Sequence, residues 1–176
     1  AWQKGIHIFD VEITTDYLIF QHQPLRDFKA TARLSRDGLD EILAHWGNVS
    51  DLRGRISFGR VPEADLAIGV GPISLSELDS LGMHPLPISL DGIFSGRLKA
   101  KGPIDGPSLN GDFTIEKGTV GSFQYDRALV NFSGNLPYLL LSDSKVWIGK
   151  NSFSLKGGLD FTLRNFLRGI KVGNSE

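Results

Sequence analysis

Between residues 88 and 101 the chain places Ile88, Leu90, Phe94, Leu98 and Ala100 on one parity, and Ser89, Asp91, Ser95, Arg97, Lys99 and Lys101 on the other. Successive side chains of a strand point to opposite sides, so this spacing describes a strand with one apolar and one wetted side. Only Ile93 breaks the pattern. The same writing recurs at Phe9, Val11, Ile13; at Phe28, Ala30, Ala32, Leu34; at Ala64, Leu66, Ile68, Val70; and at Phe153, Leu155, Leu159, Phe161, Leu163. Antiparallel sheets with one side packed and one side wet usually read this way.

Glycine supplies 21 of 176 residues and phenylalanine 11, against one methionine. Helices avoid glycine, and sheets favour aromatics, so composition and periodicity agree on an all-β chain. Reversals are written as "GPIDGPS" at 102 to 108 and "EKG" at 116 to 118, which supply the Gly, Pro and Asp that turns need. "GVGP" at 69 to 72 also reads as a turn. Two stretches carry a helical signal. In "RDGLDEILAHW", Leu39, Ile42, Leu43 and Trp46 fall at i, i+3, i+4 and i+7 behind Asp37 as N-cap. In "SELDSL", Ser76 caps about two turns carrying Leu78 and Leu81. Two short helices are therefore expected.

A repeat underlies the alternation. The pattern apolar-x-Gly-x-apolar-x-apolar occurs at Leu52, Gly54, Ile56, Phe58; at Leu109, Gly111, Phe113, Ile115; at Phe132, Gly134, Leu136, Tyr138; and at Leu155, Gly157, Leu159, Phe161. A fifth copy, Leu90, Gly92, Phe94, has Gly96 in its last slot. The spacing of 19 to 23 residues between the later copies is the length of two strands and two turns. Glycine on the apolar side of a strand removes a side chain and permits a bend or a close approach. A sheet bent at the same row of each unit would curl with its apolar residues inside.

The stretch "GRLKAKGPIDGPSLNGDFTIEKGTVGSFQYDRALVNFSGN", with the later "FSLKGGLDF", resembles repeats of the AsmA-like superfamily, in particular its TamB group. The resemblance rests on a strand ending in Gly-Pro, a turn into Leu-x-Gly, a strand ending in acid-Lys-Gly, and a late Leu-x-Gly-x-Leu. It is best over residues 88 to 163 and looser over 1 to 87. It implies that residues 1 to 176 are one segment of a longer repeat protein. The implied fold is an elongated, curled, taco-like, mostly antiparallel sheet with an apolar concave face. The implied setting is the periplasm, with an inner-membrane anchor outside this segment. The implied role is lipid transport in outer-membrane biogenesis, with translocation and assembly of outer-membrane proteins through a barrel partner. About a dozen strands at ~4.8 Å each would make such a sheet roughly 55 Å long.

Residues able to carry chemistry are scarce. His7, His22, His45 and His84 share no metal-ligand spacing, there is no cysteine, and no nucleophile elbow occurs. Asp10 and Glu12 alternate with Phe9, Val11 and Ile13, as a solvated strand side does. No catalytic residue, metal or cofactor is expected. A net charge of −1 removes the electrostatic footprint of a nucleic-acid binder. The longest uncharged apolar run, "LPYLLL" at 136 to 141, is far shorter than the ~20 residues of a spanning helix.

These readings converge on a non-enzymatic segment that shields phospholipid acyl chains, lined by Phe94, Leu98, Phe113, Ile115, Phe132, Leu155 and Phe161. Two other readings remain: a module that binds partner strands along its sheet edges, including an edge-to-edge dimer, and a right-handed parallel β-helix acting on carbohydrate.

Overall fold

A computed structural model describes residues 8–20, 23–47, 50–75, 90–120, 122–160 and 171–172. The strands are β1 (Phe9–Phe20), β2 (Gln23–Leu34), β3 (Gly38–Trp46), β4 (Ser50–Ser57), β5 (Glu63–Ser74), β6 (Leu90–Pro103), β7 (Ser108–Val120), β8 (Phe123–Asn135), β9 (Tyr138–Ile148), β10 (Asn151–Asp160) and the two-residue β11 (Lys171–Val172). They form one sheet in chain order, every neighbouring pair antiparallel, and β1 does not pair with the far end. The expected all-β antiparallel class is observed. Consecutive antiparallel order also excludes the parallel β-helix.

The helix expected over 37 to 46 is strand β3 instead. Glu41 sits in the left-handed region at φ 52°, and the pairing of β3 with β4 slips between Leu39 and Ile42. The bulge inserts one residue, so Leu39, Ile42, Ala44 and Trp46 stay level with Ile56, Gly54, Leu52 and Ser50. An i, i+3 spacing therefore arises inside a strand, and Leu43 is left on the other side, exposed. The helix expected at 76 to 81 lies outside the described residues. Two expected turns are corrected for the same reason. Glu116–Lys117–Gly118 lies within β7, where Lys117 at φ 52° accompanies the slip against β6. Gly71 and Pro72 lie within β5 at the slip between Val70 and Ile73. The turn at 102 to 108 does reverse the chain, closed by a hydrogen bond from Gly106 N–H to the Pro103 carbonyl at 3.2 Å.

The register sorts the two sides. Ile68, Leu98, Gly111, Phe132, Leu141 and Gly157 are successive partners across β5 to β10. On the opposite parity, Arg97, Asp112 and Asn131 are partners in the same way. The surface is 13227 Å², where a compact chain of this mass would expose roughly 8,500 Å². The described strands form one layer, and few of their apolar residues are buried, among them Ile73, Tyr125, Ala128, Phe132 and Leu139.

Candidate functional site

Of the residues expected to line a groove, Phe94, Leu98, Phe113, Ile115, Phe132 and Leu155 share one side of β6, β7, β8 and β10 by pairing. Phe94 is level with Ile115, Leu98 with Gly111, Gly111 with Phe132, and Leu155 with Ser144. Phe161 lies outside the described residues. Three of the rings form a file, with centroids 4.9 Å apart for Phe94 and Phe113 and 5.0 Å apart for Phe113 and Phe132.

The file climbs the sheet diagonally because, after Phe94, which faces Ile73, each large residue faces a glycine on the preceding strand. Phe113 is opposite Gly96, Phe132 opposite Gly111, and Leu139 opposite Gly134. A methyl added to Gly111 would stand 2.5 Å from Phe132 Cζ, so the ring lies directly over that glycine. Gly134 does something else. Its φ of 152° is one that residues with a side chain rarely adopt, and an added carbon would strike the Tyr138 carbonyl across the hairpin.

Burial divides these residues. Phe132 is 7% exposed and Leu139 5%, while Phe153 and Leu155 on β10 are 53% and 37% exposed. Leu155 and Phe153 are open at the surface as they stand, whereas Phe132 is covered by its neighbours. Phe153 stands in the same alternating run as Leu155 and is a further exposed apolar residue of this side beyond those expected from the sequence. Two members of the glycine repeat leave the row. Phe58 lies beyond the end of β4, and Leu136 is in the β8–β9 turn. Tyr138 begins β9 on the parity of Asn135 and Asp160.

Polar groups near this side serve the fold. The Ser144 hydroxyl, fully buried, accepts from Asn131 N–H at 2.9 Å and lies 3.1 Å from the Asn131 carbonyl and 3.2 Å from that of Ser142. It fills the slip where Asp143 takes φ 48°. Tyr125 lies over Gly118 and donates to the Asp91 carbonyl at 3.1 Å. Burial, helped by the Asp91 carboxylate, raises its pKa above 10.0.

The charged side holds exposed ion pairs: Arg33 with Glu41 at 2.6 Å and with Asp10 at 3.4 Å, Lys29 with Glu12 at 3.4 Å, and Arg97 with Asp112 at 3.2 Å. Asp10 and Glu12 are thus the partners of basic residues on β2. An open depression of about 620 Å³ lies among Arg33, Glu41, Arg53, Arg55 and Asp65. His45 lies opposite Asp51 on the exposed side. Among the described residues no three His, Cys, Asp or Glu side chains are grouped to hold a metal ion, and no helix is long and apolar enough to cross a membrane. The chain matches no family model, no curated protein and no solved structure.

Proposed function

We propose that this chain is a non-enzymatic segment of a lipid conduit. Its apolar side would curl into a concave trough that shields phospholipid acyl chains between the inner and outer membranes of a cell envelope. The observation that carries the reading is the register. It keeps apolar residues level across consecutive strands of a one-layer sheet, and Phe153 and Leu155 on that side remain substantially exposed. Contact with acyl chains would contribute about 0.8 kcal/mol per buried CH₂ without a fixed polar anchor, so a chain could slide along the row. The resemblance of residues 88 to 163 to TamB-type repeats supports the same assignment, including a periplasmic setting and a barrel partner in outer-membrane protein assembly.

The test is native mass spectrometry of the chain purified without detergent, paired with transfer of a fluorescent phospholipid between vesicles. Bound phospholipid is expected, and Phe153→Asp with Leu155→Asp should remove it while the strand signal in circular dichroism persists. A lipid-free chain, or unchanged lipid in the double variant, would sink the proposal. A second reading, strand addition, is favoured by one observation: β1 ends the sheet order and pairs only with β2 among the described strands. Proline substitutions along β1 would abolish partner capture or edge-to-edge dimers on that reading and leave lipid binding untouched.

A further inference from the structure

The pairing gathers alternate turns at one end of the sheet. Gly38 is level with Ser57, Glu63 with Pro103, Ser108 with Asn135, and Asn135 with Tyr138. The turns that follow β2, β4, β6 and β8 therefore stand in a line, about 10 Å apart at two strand spacings each. Large apolar residues occupy this line: Phe58 and Val61 after β4, Ile104 after β6, Leu136 and Tyr138 around the β8–β9 turn, each between 36% and 61% exposed. Tips of hairpins are ordinarily polar, so this placement runs against the sequence chemistry of turns. The described turn after β9 at the opposite end is Gly149–Lys150.

A second observation concerns the backbone of the same turns. Phe58 N–H donates to the Asp37 carbonyl at 2.7 Å, Ile104 N–H to the Pro62 carbonyl at 3.0 Å, and Leu136 N–H to the Pro107 carbonyl at 3.1 Å. Each bond runs from one turn to the next, so the row is tied together. Pro62, Pro103, Pro107 and Pro137 carry no N–H at all. The three apolar tip residues thus present side chains whose backbone donors are already satisfied. These three tips can therefore enter an apolar medium without stranding that donor, whereas an unpaired N–H moved into hydrocarbon costs several kcal/mol.

From these two observations we infer that this rim docks on a lipid bilayer surface, with Phe58, Ile104 and Leu136 inserted at the level of the upper acyl chains and Val61 beside them at the hydrated headgroup level. A single file of separated tips suits a fluid layer better than a protein surface, which binds through a packed central patch. The turns at 35–37, 58–62, 103–107 and 136–137 contain Arg36, Arg60, Asp37 and Asp105, a net charge of zero. Attraction is therefore apolar, and a zwitterionic bilayer suffices. The inference does not rest on the conduit reading, since the rim residues are outside the row of Phe94 to Leu155.

The chain has no cysteine, so Val61→Cys, Ile104→Cys and, as a control on the wet side, Lys99→Cys can each carry an environment-sensitive NBD dye. The probes are vesicles of phosphatidylcholine alone and of phosphatidylcholine mixed with phosphatidylglycerol. The chain should float with both, with little dependence on salt, and the dye should brighten and shift to the blue at 61 and 104 but not at 99. The triple variant Phe58→Ser, Val61→Ser, Ile104→Ser should bind about tenfold more weakly or worse. No flotation, or flotation with unchanged dye at 61 and 104, overturns the inference. So does binding confined to the anionic vesicles and abolished by salt, or a rim that drives self-association in sedimentation and ignores vesicles. The labelled single variants keep the test decisive if the triple variant unfolds. The lipid-stripping Phe153→Asp and Leu155→Asp changes should leave flotation intact.

Discussion

Replacing Gly111 by Ala tests whether the diagonal of glycines and rings holds the sheet together. An added methyl would lie 2.5 Å from Phe132 Cζ and 2.7 Å from the Arg97 carbonyl oxygen. To reach 3.4 Å, where ordinary contact begins, the ring must retreat by 0.9 Å and the carbonyl by 0.7 Å. The ring can move only by loosening its contact with Phe113, now 5.0 Å between centroids, and the carbonyl only by parting β6 from β7. Overpacking of this kind costs about 1–3 kcal/mol, and weakening one aromatic pair costs a further ~0.5–1 kcal/mol. Against this, Ala in a strand regains about 0.5–1 kcal/mol of the entropy that glycine loses on folding. The net expectation is a loss of about 2 kcal/mol, or a urea midpoint roughly 1 M lower. Gly158→Ala is the matched control, because its added carbon would meet nothing nearer than 3.7 Å, and it should be neutral or slightly stabilising. In a Phe132→Leu background the cost of Gly111→Ala should fall by about 1 kcal/mol, leaving the part owed to the Arg97 carbonyl. If Gly111→Ala proves as stable as the parent, or the two backgrounds give the same cost, the ring-over-glycine account is wrong.

Ser144→Ala should lower stability by about 1–2 kcal/mol in urea unfolding, because it strands the half-buried Asn131 N–H at the β8–β9 slip. Tyr125 has a folded pKa raised above 10.0 by burial, with a smaller push from Asp91. The stability this gives is fully present below about pH 10 and is lost as pH rises from there through the folded pKa, as the unfolded chain ionises first. Urea midpoints between about pH 8 and pH 11 should therefore fall less in Tyr125→Phe. That variant should also begin about 1 kcal/mol less stable at neutral pH, for want of the bond to the Asp91 carbonyl. Arg97→Ala, which removes an exposed pair with Asp112, should change the unfolding free energy by less than about 0.5 kcal/mol in urea titration.

The strand class was legible because alternation survives wherever pairing is regular. Ala64, Leu66, Ile68 and Val70 pair with Gly102, Ala100, Leu98 and Gly96 without a slip. Sequence reading failed at the slips. A residue at φ near 50°, such as Glu41 or Lys117, adds one position to a strand and shifts the parity of everything beyond it. At β3 the shifted parity imitates a helical period, and nothing local marks Glu41 as the extra residue. At β7 the Lys-Gly pair has the composition of a turn, but β7 is paired on both sides at that point, so the chain runs straight on. The row of groove candidates was legible from parity alone, but its burial was not. The neighbour that covers Phe132 is reached across the ladder, not along the chain.

Of the two roles expected for the repeated glycines, a bend or a close approach, the close approach is the one visible at Gly96 and Gly111. Gly96 and Gly111 serve as floors for rings from the next strand, Gly134 supplies a φ that residues with a side chain rarely adopt, and the copies at 52 to 58 and 132 to 138 run off their strands into turns. A one-layer sheet lacks a second layer to bury its large side chains. Facing Phe113 and Phe132 with glycines lets these rings lie over the neighbouring strand and be covered by the sheet itself. That solution explains how Phe132 reaches 7% exposure with only one sheet layer among the described residues. It also divides these residues in two: a diagonal through Phe113, Phe132 and Leu139 that neighbouring strands cover, and Phe153 and Leu155 of β10, which stand exposed. On the proposed conduit, a charge on the diagonal would lower stability and lipid binding together, whereas one at Leu155 should lower lipid binding alone.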